Sequence, residues 1–256
     1  MKLSHFGILF LSIFLIFAVF SEQMNLEEQA LIYKESEYNR AVDAAVSYAM
    51  AFQAESWDGK SLTMNAAEVA ACFDQALAVS LFGTPQAEQK AASYVPILFL
   101  AEEAEITDLR TEETRRYLMP ADSYVIAFTL NEWITVYRKT GELAAEGYYQ
   151  DILPFFPCEE ILQHFDAFRR SCILNTILHF VNLTLTAQGI SHMLDLAGTE
   201  GADHIRTIDD ITLLAVIRGL PLNTADGKTY ERVALGGARL YKTKGDEYDL
   251  WKLDGT

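Results

Sequence analysis

Apolar and polar positions divide the chain into a helical beginning and a mixed remainder. Residues 3–21 carry no charge and are almost entirely apolar, and residues 22–53 contain neither Gly nor Pro. Within the second stretch, apolar residues recur at helical spacing; they are Tyr38, Ala41, Val42, Ala45, Tyr48, Ala49 and Phe52. The pattern predicts one helix that runs from the apolar segment into an amphipathic stalk.

A second helix and a buried strand are predicted next. Asn65 precedes an apolar periodic run with Glu68 three residues on, which is the spacing of a capping box, and Gly83-Thr84-Pro85 ends the run. The apolar residues 94–101 predict a buried strand. Residues 111–122 are polar and predict a loop.

Alternation of apolar and polar residues predicts a three-stranded antiparallel meander. Tyr124, Ile126, Phe128 and Leu130 alternate along the first strand, Asn131-Glu132 supplies a turn, and residues 139–142 supply another.

The C-terminal part begins with the longest helical pattern, residues 159–188, which we expect to pack across the sheet as a core element. Its predicted core stripe is Ile161, Phe165, Phe168, Cys172, Thr176, His179 and Leu183. A short apolar helix is predicted after Asp209 or Asp210, ending at Gly219 before Pro221. Residues 232–242 predict a last strand with a bulge at Gly236-Gly237.

These elements predict an α+β fold, in which an N-terminal transmembrane helix continues into a long helix, followed by an antiparallel sheet with packed helices. We divide the chain into an anchor (residues 1–22), an amphipathic helical stalk (23–55), an exported α+β domain (56–245) and a polar C-terminal tail (246–256).

Charge limits the partners of this domain. The chain has 36 acidic and 20 basic residues, a formal net charge of −16 and a pI near 4.6. Such a field repels phosphate backbones and disfavours docking of the domain onto anionic lipid headgroups. We therefore expect no nucleic-acid partner.

The apolar segment is long enough to span a bilayer. At about 1.5 Å per residue, residues 3–21 extend roughly 28 Å as a helix. Lys2 precedes the segment and Glu22, Glu27 and Glu28 follow it, so the positive-inside rule places the N-terminus in the cytoplasm and the domain outside. We expect a single-pass membrane protein whose N-terminal helix lies in the lipid bilayer. Cleavage near Ser21, which would release a secreted domain, is the alternative.

The stalk stripe has two interpretations. Its small residues Ala41, Ala45 and Ala49 permit close approach of another helix, so this face could bind a protein partner. We expect intramolecular packing instead, because such a stripe in a helix flanked by Tyr is typical of a domain core.

Signatures of known chemistry are absent from the sequence, which contains no GxSxG, SxxK, HExxH, Walker or GxGxxG motif. Cys72, Cys158 and Cys172 are far apart and are expected to be buried apolar residues. His179 is expected to be a core histidine, two helical turns from Cys172 and too distant to form a nucleophilic pair with it. His192, Asp195, Asp203 and His204 have no metal-ligand spacing. We predict no catalytic, cofactor-binding or metal-binding residues.

Several stretches together resemble an uncharacterised group of membrane-anchored proteins of Gram-positive bacteria; they are NRAVDAAVSYA, FTLNEWITVY, FRRSCILNTI, DDITLLAVIRGLPL and YERVALGGARLYK. The resemblance to this group implies a role in surface-appendage or transfer machinery. The layout, an apolar N-terminal helix that continues into an α+β head, is also similar to that of type IV pilins. The chain departs from pilins at the processing site, because Gly7 is followed by Ile8 and Ser12 replaces the required Glu.

Three hypotheses follow. The first is a non-enzymatic single-span membrane protein that belongs to a surface-appendage, secretion or conjugation-type assembly. The second is an extracellular ligand-binding or sensory domain, with the meander and the helix at 159–188 lining a pocket. The third is an exported hydrolase, which requires a deep cleft with convergent titratable groups.

Overall fold

The fold is α+β and combines helices with two antiparallel sheets. The structure is a computed structural model that describes residues 3–51, 64–190, 211–222, 229–242 and 248–252. Its helices are α1 Leu3–Ala51, α2 Ala66–Phe82, α3 Glu88–Ser93, α4 Tyr149–Ile152, α5 Glu159–Gln163 and α6 Phe165–Ala187. Its strands are β1 Ile97–Ala101, β2 Glu105–Asp108, β3 Glu113–Arg116, β4 Leu118–Ala121, β5 Tyr124–Phe128, β6 Trp133–Arg138, β7 Leu143–Tyr148, β8 Ile211–Pro221, β9 Thr229–Lys242 and β10 Tyr248–Lys252. Pro85–Ala87 and Leu153–Phe155 form short 3-10 helices.

Helix α1 joins the domain through its C-terminal part. It packs against α2 and β9 with a buried face that consists of Tyr38, Ala41, Val42, Ala45, Val46, Ala49 and Met50. The intramolecular packing expected for the stripe is therefore confirmed for its buried members, whereas Tyr48 is exposed and Phe52 lies outside the described residues. A protein partner at Ala41, Ala45 and Ala49 would have to displace these contacts.

Polar contacts fix the register of α1 on β8 and β9. The Tyr38 hydroxyl donates to the Pro221 carbonyl at 2.9 Å, and the Tyr230 hydroxyl donates to Oδ1 of Asn39 at 2.6 Å. The Tyr38 and Tyr230 rings meet edge to face at 5.3 Å. Because a buried hydroxyl is costly to leave unpaired, these contacts specify one docked position of the helix.

Helix α2 begins and ends as predicted. The Asn65 side chain accepts a hydrogen bond from the Glu68 backbone N–H at 3.3 Å. Gly83 ends the helix with φ +71, a left-handed conformation that Gly adopts without strain. The buried face of α2 includes Val69, Phe73 and Leu77.

The larger sheet has six strands in the order β10-β9-β8-β1-β2-β3. All its neighbouring strands are antiparallel. Every residue of β1 is buried, which confirms the predicted buried strand, although it begins at Ile97 rather than Tyr94.

The predicted short helix at residues 209–219 is wrong. Ile211–Pro221 is strand β8, paired with β1 on one side and β9 on the other. Since most of its residues are buried, the run is apolar throughout and shows no alternation. Gly219 does not end a helix; with φ +93 it lies at the irregularity between Arg218 and Leu220 where the register with β9 shifts. Asp209 and Asp210 lie outside the described residues.

Strand β9 confirms the predicted strand but not its bulge. Leu213 pairs with Gly236 and Thr212 with Gly237 in regular register. The chain also adds β10, Tyr248–Lys252, beyond β9 and inside the segment expected to be a polar tail.

The smaller sheet contains the predicted meander. Strands β5, β6 and β7 pair as expected, and β4 adds a fourth strand at the edge. The loop predicted for residues 111–122 is wrong, because this segment contains β3 and β4. Both are edge strands of four residues with mostly exposed side chains, so their sequences lack the apolar signal of a strand.

The long helical pattern forms α5 and α6, which are separated at His164 with φ −126 and ψ 36. Phe180 of α6 meets Phe99 of β1 with ring centroids at 4.9 Å, and Phe165 meets Phe128 of β5 at 5.8 Å. Helix α6 thus packs on both sheets, and its predicted place in the core is confirmed.

A membrane-spanning helix is not confirmed. Within the described part of the chain, no single helix has both the length and the apolar composition to cross a membrane. Ala66–Phe82 and Pro85–Ser93 reach that length and composition only when taken together, and a bend of 110° separates them.

Candidate functional site

A cleft opens between α6 and strands β3 and β4, and we call it the α6 cleft. Its volume is about 650 Å³, which falls in the range of small-molecule sites. The residues that line it are Arg115, Arg116, Leu118, Met119, Phe168, Ser171, Cys172, Asn175, Thr176, His179, Phe180 and Leu183.

Most of the predicted core stripe of α6 lines this cleft. Helix α6 buries a different face, which includes Ile173, Ile177, Val181 and Leu185. The remaining stripe residues Phe168, Cys172, Thr176, His179 and Leu183 line the cleft instead. The expectation of a core histidine is wrong, because His179 is exposed.

Tyr117 fixes the wall of the cleft. This residue separates β3 from β4 and is fully buried, and its hydroxyl is shared between the carbonyls of Glu102 at 3.1 Å and Glu105 at 3.0 Å. Its own carbonyl accepts from the Phe128 N–H at 2.9 Å. Burial raises the pKa of the Tyr117 hydroxyl, so it stays a neutral donor. The Tyr117 side chain thus connects the corner between β3 and β4 to the turn between β1 and β2.

The cleft is lined by cations and carries no carboxylate. Arg115 lies over the Phe180 ring, with its guanidinium carbon 5.3 Å from the ring centroid, and it forms an ion pair with Glu113. Arg116 pairs with Glu105 at 3.5 Å. No Asp or Glu is among the lining residues, so the charged side chains that line the cleft are cationic, while the glutamates that balance their charge lie outside its lining.

Cys172 and His179 both line the cleft, yet the thiol is not activated. Burial raises the pKa of Cys172 to about 11, against a smaller lowering by the hydrogen bond with Thr176. A reactive thiol requires a depressed pKa, so the thiol of Cys172 is protonated and unreactive near neutral pH. This agrees with the sequence argument against a Cys–His nucleophile.

The other cysteines and the metal candidates add no chemistry. All three cysteines are thiols rather than disulfides, with Cys158 buried and Cys72 and Cys172 half-buried. Burial also raises the pKa of Cys158. Among the described residues, no three His, Cys, Asp or Glu side chains are grouped as metal ligands. The candidates His192, Asp195, Asp203 and His204 lie outside that part of the chain.

The two arginines of the cleft are not predicted from the sequence. Arg115 and Arg116 fall within residues 111–122, the polar stretch for which a loop is predicted. The signal that could have found them is the second face of the α6 pattern, where Ser171, Asn175 and Thr176 alternate with apolar residues.

A second feature of the surface is a set of exposed apolar side chains on α1 between Phe14 and Tyr33. Phe14, Leu15, Phe17, Val19 and Phe20 are between 55% and 72% exposed and point to all sides of the helix. Further along, Met24, Leu26, Ile32 and Tyr33 are also exposed. Isolated exposed apolar residues are normal, but a continuous apolar surface indicates an interaction site.

Comparison with protein-family models, curated proteins and solved structures finds no match to this chain. The resemblance to membrane-anchored proteins of Gram-positive bacteria stays a prediction.

Proposed function

We propose that this is a non-enzymatic, single-span membrane protein whose α+β domain lies outside the cytoplasm and belongs to a surface-appendage, secretion or conjugation-type assembly. The observation that carries the proposal is the exposed apolar surface of α1 between Phe14 and Phe20. In water, leaving one such side chain uncovered forgoes about 1.5–3 kcal/mol. A bilayer covers all sides of a helix at once, which a protein groove does not.

The continuity of α1 supports the connection between anchor and domain. One helix extends from Leu3 to Ala51 without a break, and its C-terminal part is fixed to β8 and β9 through Tyr38 and Asn39. The domain would therefore be held by a rigid helix rather than a flexible linker. Lys2 and Glu22 on either side of the apolar segment support an outward orientation.

The part of α1 between anchor and domain supports assembly. Ile32 and Tyr33 are exposed on this stretch, while burial against the domain begins at Tyr38. Apolar helix surface just outside a membrane suits packing against helices of neighbouring subunits.

The experiment combines membrane fractionation, the mass of the mature N-terminus and site-directed crosslinking. We expect the uncleaved chain in the membrane fraction after alkaline washing. A photo-crosslinking benzoylphenylalanine at Tyr33 should capture a protein neighbour, whereas the same group at Tyr148, an exposed tyrosine of the domain, should not. Recovery of a chain cleaved near Ser21 in the soluble fraction, or no crosslink from Tyr33, would count against the proposal.

A second candidate function is binding of a small ligand, and the α6 cleft favours it. The cleft combines apolar and polar side chains, as ligand sites do. The two functions are compatible, because the cleft lies between α6 and the sheet strands and α1 docks on α2 and β9.

A further inference from the structure

We infer that the α6 cleft binds a small amphipathic anion, that is, an apolar body carrying one acidic group, with Arg115 and Arg116 holding the charge. The inference rests on the second candidate function, ligand binding by this cleft. It does not depend on the membrane anchor.

The charge of the residues that line the cleft favours an anionic ligand. The chain has 36 acidic and 20 basic residues, yet the residues that line the cleft include two arginines and no carboxylate. An anion entering this cleft leaves the repulsive field of the surrounding surface and meets guanidinium groups, which bind carboxylates and phosphates through paired hydrogen bonds.

The present partners of the two arginines are exchangeable. Arg115 pairs with Glu113 and Arg116 pairs with Glu105; the two arginine side chains and Glu113 are more than half exposed, and Glu105 is 36% exposed. Exposed ion pairs of this kind contribute little to stability. A ligand anion in the more enclosed cleft can therefore replace either glutamate without a large loss for the fold.

Stacking fixes the position of Arg115. Its guanidinium lies over the Phe180 ring on the α6 side of β3. A stacked guanidinium keeps its planar edge free for a ligand, so less freedom is lost on binding. Arg115 is thus the main anion contact, and Arg116, the next residue of β3, also lines the cleft but extends from the opposite face of the strand and adds its charge from a greater distance.

The rest of the cleft selects an apolar body. Leu118 and Leu183 belong to the exposed large apolar residues of the protein, at 46% and 52%, and both line the cleft with Met119 and Phe168. A purely ionic ligand such as inorganic phosphate would leave these side chains in water. An aliphatic or aromatic body would cover them, which favours binding.

The test uses two light-activated probes that share one body. Para-benzoylbenzoate carries a carboxylate, and para-benzoylbenzamide is its neutral counterpart. The full-length protein in detergent is irradiated with each probe, and labelled peptides are located by mass spectrometry. We expect the benzoate to label the Phe165–Ala187 helix at least about tenfold more than the benzamide, in line with the strength of charge-assisted hydrogen bonds.

Variants of the arginines test whether these residues cause the preference for the charged probe. The double variant Arg115→Gln/Arg116→Gln should reduce labelling by the benzoate to that by the benzamide. Arg138→Gln is the matched control, because Arg138 is also an exposed strand arginine paired with a glutamate, Glu142, and it should change nothing. Decanoate and decyl phosphate as competitors distinguish a carboxylate ligand from a phosphate ligand, and competition by either one supports the inference.

The outcomes distinguish two claims, that the cleft binds a ligand and that the ligand is an anion. Equal labelling of α6 by both probes would overturn the anionic class while leaving ligand binding in place. Absence of labelling in α6 by either probe would overturn ligand binding itself. Circular dichroism of the double variant checks that the fold is intact, and a native spectrum with unchanged benzoate labelling would also overturn the role of the arginines.

Discussion

Arg110 forms a two-pronged ion pair with Asp74, and this pair ties α2 to the turn after β2. Its Nη1 and Nη2 atoms lie 2.6 Å and 2.7 Å from the two carboxylate oxygens of Asp74. Arg110 also donates from Nε to the Val95 carbonyl at 3.2 Å. The Asp74 side chain is 9% exposed, so the pair lies largely out of water. Water therefore solvates neither charge well if its partner is removed.

Removing one partner of this pair should destabilise the domain strongly. Asp74→Ala leaves a partly buried guanidinium without its counter-charge, and we expect a loss of about 3–5 kcal/mol in the free energy of unfolding. Chemical denaturation followed by circular dichroism measures it. The matched control is Glu142→Ala, because Glu142 pairs with Arg138 and the two side chains are 67% and 60% exposed; a loss as large there would contradict the importance of burial.

The pH dependence of stability should contain a contribution from Glu102. Burial raises the pKa of its carboxyl above the ordinary 4.5, partly offset by a hydrogen bond from the Met64 N–H. Because the folded chain holds this proton more tightly, the contribution is complete below the unfolded pKa and is lost as the pH rises through the folded pKa. The free energy of unfolding should fall over that interval.

Glu102→Gln should remove this part of the pH dependence. Glutamine keeps an oxygen that accepts from the Met64 N–H but does not ionise. Urea denaturation at a series of pH values from 4.5 upward compares the variant with the wild type. Glu132→Gln, at an exposed position, is the control and should follow the wild type. A constant difference between Glu102→Gln and the wild type at every pH would refute the prediction.

Local patterns predicted the elements whose burial is one-sided. The meander β5–β7 packs one face on the core, so alternation was visible. The cap residues Asn65 and Gly83 predicted α2, because their roles depend only on neighbouring backbone atoms. These features depend on interactions within a few residues, which a sequence displays directly.

The helix predicted at strand β8 is wrong because the burial of this strand depends on residues far away along the chain. It lies between β1 and β9 and is buried on both faces, so its run of apolar residues has no period that separates a strand from a buried helix. The β-branched residues Ile211, Thr212, Val216 and Ile217 favour a strand. Gly219 and Pro221 match the pattern of residues that end a helix. In the structure, Gly219 has φ +93 and lies where the register between β8 and β9 shifts.

The α6 cleft was only half predictable. The sequence showed the stripe of Phe168, Cys172 and His179 but assigned it to the core, since a helix with apolar residues on two faces does not reveal which one is covered. The opposite wall comes from β3 and β4, more than 45 residues away along the chain. These two edge strands are short and polar, so their sequences show no apolar pattern that predicts a strand. That they lie opposite α6 is therefore known only from the three-dimensional structure.

Alkylation of Cys172 should be slow near neutral pH. The raised pKa, about 11, leaves a small thiolate fraction, and we expect a rate roughly 100-fold below that of an unperturbed thiol at pH 7.5. The measurement uses iodoacetamide on a Cys72→Ser/Cys158→Ser variant. The control moves the thiol to the neighbouring exposed position, Ser171→Cys, with the three native cysteines replaced by serine. A rate for Cys172 that levels off below pH 9 would contradict the shift.

The buried alanines of α1 should tolerate no added volume. Ala45 is fully buried on the face that packs against α2 and β9, whereas Ala44 is exposed one position earlier. Ala45→Leu forces extra carbon atoms into a filled interface and should lower the free energy of unfolding by about 1–3 kcal/mol. Ala44→Leu has nearly the same helix propensity and should change it by less than about 0.5 kcal/mol. If the two variants unfold alike, the helix is not held against the domain by this face, and the alanines are then free for a protein partner.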